Sequence, residues 1–230
     1  RVLGEEGSWT RMIDTPDSME AIIRTGDEIY FVRPGSSLIP SLNPRTHLPY
    51  RLSDVDSLCE EYSCPLAYSV PPGQKRRSPG NGRSAMDDYR ALVSEAQIQA
   101  EASSLKEVEI HVVADGDYYS DHGSGAAVRM ESVINDMAGI YENEVGVTFR
   151  ISASTIYTPA TDPFTSSTDP RTLLDSFTGT SHSSGHDLAH LFTGRDLAGN
   201  VVGVAWLGVV CHGSHNTGLS EDLDLTPDRM

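Results

Sequence analysis

Cysteine is scarce: Cys59, Cys64 and Cys211 are the only three in 230 residues. An odd count leaves at least one as a free thiol, a metal ligand, or the partner of a cysteine beyond the present ends. Basic residues are also few. Lys+Arg is 17 against 33 Asp+Glu, for a net charge of −16. A nucleic-acid binder needs a basic face to meet phosphates, so that class is excluded, as is docking on anionic lipid. No apolar run approaches the ~20 residues of a membrane-spanning helix. The sequence begins at Arg1 without an initiator Met or a visible signal peptide, and stops at Met230 after an acidic tail. The expectation is that these are not the natural ends of the protein.

The composition that remains is 38% hydrophobic and 22% charged, enough to bury a core and to exclude disorder from end to end. The charge is unevenly placed. Up to Arg77 there are 9 basic and 11 acidic residues; from Ser78 onward there are 8 and 22. The change in kind predicts a boundary near Arg77. The excess acid is either a solvated surface or a source of carboxylates for a divalent cation. Residues 69–84 read as a linker, because Pro71, Pro72, Gly73, Pro79, Gly80 and Gly82 interrupt both helix and strand. Inside it lies Lys75-Arg76-Arg77, in a chain with two lysines. An exposed basic triplet in a linker suits a processing protease, with a chance basic cluster as the alternative. The predicted division is a β-rich part at 1–68, a linker at 69–84 and a larger unit at 85–230.

Local patterns fill in this frame. Ile22-Ile23, a Gly26-containing turn and Ile29-Tyr30-Phe31-Val32 predict a hairpin. Met86 to Leu105 is polar and reads as a helix. Val108, Ile110 and Val112 alternate with Glu109 and His111, which predicts a strand of period two. From Gly125 to Tyr141, Ala127, Met130, Val133, Ile134, Met137 and Tyr141 recur at three and four, the mark of an amphipathic helix. Val145 to Ile151 alternates again. Asp169-Pro170 predicts a helix start, with Asp169 as cap, Pro170 at the first position and Leu173, Leu174 and Phe177 as the buried stripe. A strand follows around Asp187 to Phe192, then a turn at Asp196–Asn200 and an apolar run from Val201 to Val210. This order is an α/β (α+β) pattern.

His182, His186 and His190 fall at intervals of four, and His186-Asp187-Leu188-Ala189-His190 approaches the zinc motif H-E-x-x-H. Asp replaces the general-base Glu. Thr193 and Asp196 stand where the longer H-E-x-x-H-x-x-G-x-x-H pattern needs Gly and His. Ser183-Ser184-Gly185 opposes a helix here. Two readings stay open: a loop and strand that happen to carry histidines, or a three-histidine metal site. His212 and His215 read as loop residues.

One segment says more. His186-Asp187-Leu188-Ala189-His190-Leu191-Phe192-Thr193-Gly194, then Asp196 to Asn200, then Gly203-Val204-Ala205-Trp206-Leu207-Gly208-Val209-Val210-Cys211 resembles the reprolysin (adamalysin) group of metzincin zinc metalloproteases. The matching patterns are H-D-x-A-x-L-x-T-G, D-x-x-G-N and G-x-A-[YW]-x-G-x-x-C. Glu107 to Asp115 is similar to that family's first strand, and Gly218-Leu219-Ser220 to the link before its zinc helix. The resemblance covers about 107–230. It implies a metzincin-like upper catalytic subdomain, with a mixed, mostly parallel sheet flanked by helices. It also implies a secreted zinc endopeptidase acting on protein or peptide substrates, in which metal-activated water attacks a peptide carbonyl. No H-E-x-x-H occurs in the 230 residues, so the catalytic residues are expected after Met230 and this segment alone is expected to be inactive. The alternative is a non-catalytic, protease-like binding or inhibitory module.

The same resemblance assigns roles. Val204, Ala205, Trp206, Leu207 and Gly208 would line an edge strand, spanning Val202 to Val210, that pairs with substrate backbone. Glu109 and Asp187 would contribute to a structural calcium site. Cys211 would pair with a later cysteine. The front part resembles a prodomain, on Gly7-Ser8, Gly26, Tyr30-Phe31-Val32-x-Pro34 and His47-x-x-Tyr50-Arg51-x-Ser53-Asp54-Val55. It would contact the catalytic domain, and a prodomain thiolate from Cys64 or Cys59 would cover the zinc. A local Cys59–Cys64 disulfide is the alternative, and the family's Cys-Gly context is absent.

Overall fold

The computed structural model describes residues 7–14, 18–26, 28–43, 45–54, 105–210 and 215–222. Two sheets are built from them. The first is antiparallel, in the order β1-β2-β3-β4: Trp9–Asp14, Met19–Thr25, Glu28–Pro34 and His47–Arg51. The β2–β3 hairpin forms where the sequence predicts it, with Ile22 opposite Phe31. Gly26 takes φ 58°, a left-handed conformation that a tight hairpin turn needs and that glycine adopts without strain. A four-residue helix, α1 (Gly35–Leu38), follows β3. The buried part of this sheet is small, centred on Ala21 and Ile22.

The second sheet has five strands: β5 (Lys106–Ala114), β6 (Val147–Ile156), β7 (Leu188–Thr193), β8 (Gly203–Ala205) and β9 (Thr217–Glu221). Their order across the sheet is β6-β5-β7-β9-β8. The first three pairings are parallel and the last, β9 with β8, is antiparallel. Three helices join the set: α2 (Gly116–His122), α3 (Ala126–Glu144) and α4 (Pro170–Thr178).

Helices lie on both faces of this sheet, which is why the alternation at the start of β5 gives way to the continuous apolar run Val112-Val113-Ala114 and why Ala189, Leu191 and Phe192 of β7 are all buried. On one face Ile110, Val112 and Phe192 pack against Met130 and Ile134 of α3. On the other, Val113, Leu191 and Leu219 pack against Leu173, Leu174 and Phe177 of α4. The start of α4 matches its sequence signal: the Asp169 carboxylate accepts the Thr172 N–H at 2.7 Å, and Pro170 opens the helix.

Two elements depart from expectation. The edge strand is three residues long, not nine. Gly208 at φ 69° ends the extended path, and Leu207, Gly208 and Val210 turn out to solvent while Trp206 and Val209 turn in. Gly218-Leu219-Ser220 is not a link: it is the middle of β9, inserted between β7 and β8. The helix expected at 86–105 falls almost wholly outside the described residues.

Candidate functional site

The outer strand β8 carries the residues that the sequence marks as an edge strand. Trp206 N–H donates to Thr217 O at 3.3 Å, and Val202 O accepts the Glu221 N–H at 2.9 Å. In an antiparallel pair, residues facing the neighbour alternate with residues facing away. Val202, Val204 and Trp206 therefore turn their backbone groups to β9, and Gly203 and Ala205 turn theirs outward. Gly203 sits opposite Ser220 and Ala205 opposite Gly218, the closely spaced positions of such a ladder. A Cβ on Gly203 would stand 3.0 Å from Leu219 O, and one on Gly218 would stand 3.0 Å from the Ala205 Cβ. Small residues are thus required where the strands approach.

The strand is fixed from below by Trp206. Its indole Nε1–H donates to Thr178 Oγ1 of α4 at 3.1 Å, and the Arg171 guanidinium lies 4.0 Å from the ring centroid. His215 meets the same ring edge-on at 5.0 Å. Of the five residues expected to line this strand, Val204 and Trp206 face inward and are buried, whereas Ala205, Leu207 and Gly208 are exposed.

Past the C-terminal ends of β5 and β7 lies an ionic network, buried except at Asp117, that sequence patterns did not suggest. Asp115 caps α2, accepting the Tyr118 N–H at 2.8 Å and the Thr193 hydroxyl at 2.5 Å. Arg195 reaches Asp115 at 3.3 Å, Asp117 at 2.9 Å and Asp162 at 2.9 Å, and donates to Thr165 O. Burial pushes the Asp115 carboxyl up, and the Thr193 hydroxyl, the Tyr118 and Gly194 N–H groups and the Arg195 charge pull it back. The one available signal was Asp115 standing one residue before Gly116 at a strand end. Its partners are far away in sequence, which hid the rest.

The histidines divide by face. His190 lies on β7, half-buried, bonded to Ser220 Oγ at 2.9 Å and packed on Phe192, on the α3 side. His182 and His186 lie in the loop before β7 and meet His111 of β5 on the opposite side, with ring centroids 5.2 and 5.0 Å from His111. A three-histidine site from His182, His186 and His190 is therefore overturned by strand alternation, which sends His190 through to the other face. The cluster that does form is wired to hydroxyls and a carbonyl. His111 Nδ1 meets His182 O at 2.8 Å, and its Nε2 meets Thr155 Oγ1 at 3.0 Å. His182 is held by Thr180 Oγ1 at 2.6 Å and Tyr157 Oη at 2.9 Å, and His186 Nδ1 by Ser152 Oγ at 2.7 Å. Ser152 is the extra residue where the β5–β6 register shifts, and that bulge aims its hydroxyl at His186. Burial lowers His111 and His182 below the ordinary histidine value, and the ring next to each (His186 beside His111, His111 beside His182) lowers it further.

Glu109 and Asp187, expected at a calcium site, are brought together, with Asp187 Oδ2 accepting the Glu109 N–H at 2.9 Å. The Glu109 carboxylate itself is engaged by Arg150, which also holds Glu107 at 2.7 Å. Among the described residues, no group of three or more His, Cys, Asp or Glu is arranged to hold a metal ion. The clustered imidazoles do not fit a catalytic zinc, because His111 and His182 each place both ring nitrogens, and His186 its Nδ1, on hydroxyls or a carbonyl. Cys59, Cys64, Lys75, Arg76, Arg77 and Cys211 lie outside the described residues.

With this geometry in hand, the chain can be set beside known proteins. Residues 104–225, just over half of the chain, match the sequence model described as metallo-peptidase family M12. A search of curated proteins finds no match. A similar solved chain, titled "Structure of a chaperone-substrate complex", has a TM-score of 0.42 and 14% identity, over 51% of this chain and 20% of that one. This chain thus spans about one fifth of that chain's length.

Proposed function

The chain belongs to metallo-peptidase family M12, and from that premise we propose that residues 105–222 are the substrate-binding half of a zinc endopeptidase domain. The observation that carries the reading is β8. It is the outermost strand of the sheet, antiparallel to its neighbour, with the backbone groups of Gly203 and Ala205 turned outward. An extended peptide can add to such an edge as a further strand, gaining affinity from main-chain hydrogen bonds. Ala205 and Leu207 present side chains to it, while Trp206 holds the strand from below.

What this half supplies is orientation. It can hold a peptide extended along β8, and among its described residues no group of three or more His, Cys, Asp or Glu is arranged for a metal. On this reading the zinc ligands and the catalytic Glu come from sequence following the segment. The basic triplet Lys75-Arg76-Arg77 is then a processing site of a secreted zymogen.

Two experiments test the proposal. An extended apolar peptide titrated into the chain should shift the amide resonances of residues 203–208. Ala205→Pro should abolish this, because it removes an outward N–H while leaving the β9 pairing intact. Shifts elsewhere, or unchanged binding in the Pro variant, would count against β8 as the peptide site. Reading the gene past Met230 tests the enzyme: H-E-x-x-H-x-x-G-x-x-H supports it, and an uninterrupted frame without that motif leaves only a protease-like binding module.

A further inference from the structure

Helix α3 carries two stripes. Met130, Val133, Ile134 and Met137 face the five-stranded sheet. Ser132, Asp136, Gly139 and Glu142 follow one another at intervals of four, three and three, so they share a second line along the helix. An outward stripe of this kind is ordinarily solvated. Here Ser132 is 1% exposed and Gly139 is buried.

The first sheet covers it. A Cβ on Gly139 would stand 2.8 Å from the Trp9 ring and 2.7 Å from the Arg11 side chain. Glycine is a poor residue for the middle of a helix, and this close approach is what requires it. Above it the contact is ionic. Arg33 of β3 pairs with Asp136, and its guanidinium lies 5.2 Å from the Phe31 ring centroid. Glu20 of β2 accepts the Ser132 hydroxyl at 2.6 Å and pairs with Arg33 at 3.5 Å and Arg129 at 3.9 Å. Arg11 pairs with Glu142, and Arg24 with Glu144 at 3.6 Å. The side chains of Arg33 and Asp136 are 11% and 13% exposed, so this central pair is largely withdrawn from water. The first sheet contributes mainly arginines and the helix mainly carboxylates, in keeping with the uneven charge of the sequence.

The helix lies over the β6–β5 end of the second sheet, where Phe149 and Ile151 meet it. The strand β8 is at the other edge, four strand spacings away. At ~4.8 Å each that is about 20 Å.

We propose that the outer stripe of α3 is a docking surface for the four-stranded sheet, one that holds it as a noncovalent partner after the chain between residues 54 and 105 has been cut. This inference does not depend on the peptidase reading. Cutting the linker is then not release: the sheet stays on α3 until the Arg33–Asp136 contact is broken.

The test uses the full chain with a site-specific protease sequence inserted between Gly80 and Asn81. After complete cutting, the two pieces should elute together at the size of the uncut chain. Arg33→Asp should separate them, with the dissociation constant rising by roughly thirtyfold or more, as for loss of one partner of a desolvated charge pair. Adding Asp136→Arg to that variant should restore co-elution. Gly139→Leu should separate them too, although it improves the helix, and it decides the matter should Arg33→Asp prevent folding. Separation of the cut wild-type pieces would overturn the proposal, as would co-elution of the cut Gly139→Leu chain at wild-type strength.

Discussion

At the scale of single residues, the most informative side chain is His190. It is half-buried, and its desolvation holds the imidazole down at about 4, against an ordinary value of 6.5. The folded state therefore keeps it neutral while the unfolded chain takes up a proton once the pH drops below 6.5. Stability contributed by the neutral ring is present above pH 6.5 and is lost as the pH falls toward 4, by up to ~3 kcal/mol over that window. His111 and His182 shift in the same direction. Asp115 and Asp136, raised by burial, act with the opposite sign, so the bare pH profile mixes both effects. A difference measurement removes the mixture. His190→Gln should lose less stability than the wild type between pH 7 and pH 4.5 in urea unfolding; parallel losses would show that His190 does not set the acid limit. The sequence displayed this histidine but not its setting. A period of four suggested a shared helical face, whereas on β7 a spacing of four from the loop says nothing about face, and the alternation of the strand places His190 on the α3 side, beside Phe192 and Ser220.

At the scale of elements, the legible ones were those whose local signal agreed with their tertiary setting. The α4 cap, the amphipathic α3 and the β2–β3 hairpin each carry their own instructions in a few residues. Strand β9 carries almost none: Thr217-Gly218-Leu219-Ser220-Glu221 has one large apolar residue, and its placement comes from close packing between β7 and β8. Gly218 is the key to that packing, with the Ala205 Cβ and the His190 ring on either side. By propensity alone, Gly218→Val should strengthen a strand. Here the new Cβ meets Ala205 at 3.0 Å, so the expected outcome is destabilisation by ~1–3 kcal/mol, the range for overpacking. Ala205→Gly in the same chain should recover part of it. Chemical denaturation of the single and double variants measures both, and a stabilised Gly218→Val would show that β8 yields at no cost. The outward set of β8 was half legible for the same reason. The family pattern marked Gly203 to Gly208, but which backbone groups face away follows only from the register with β9.

At the scale of the whole molecule, two sheets of unequal self-sufficiency are joined through one helix. The five-stranded sheet has helices on both faces and two apolar clusters. The four-stranded sheet has little buried beyond Ala21 and Ile22, and a sheet with so small a core is marginal alone. Its stability must then be borrowed from α3 through Trp9, Arg33 and Glu20. In the intact wild-type chain the two should unfold in one transition, because the smaller sheet has no reason to outlast its support. Asp136→Arg places a cation against Arg33 and breaks the link without touching the apolar stripe of α3. The expected result is a second, earlier transition with a small denaturant slope, since the slope follows the surface exposed. Hydrogen exchange locates it: the Ile22 amide should lose protection in the variant while the Val112 amide keeps it. A variant that still unfolds in a single step, with both amides exchanging together, would mean that the smaller sheet is held by more than the stripe on α3.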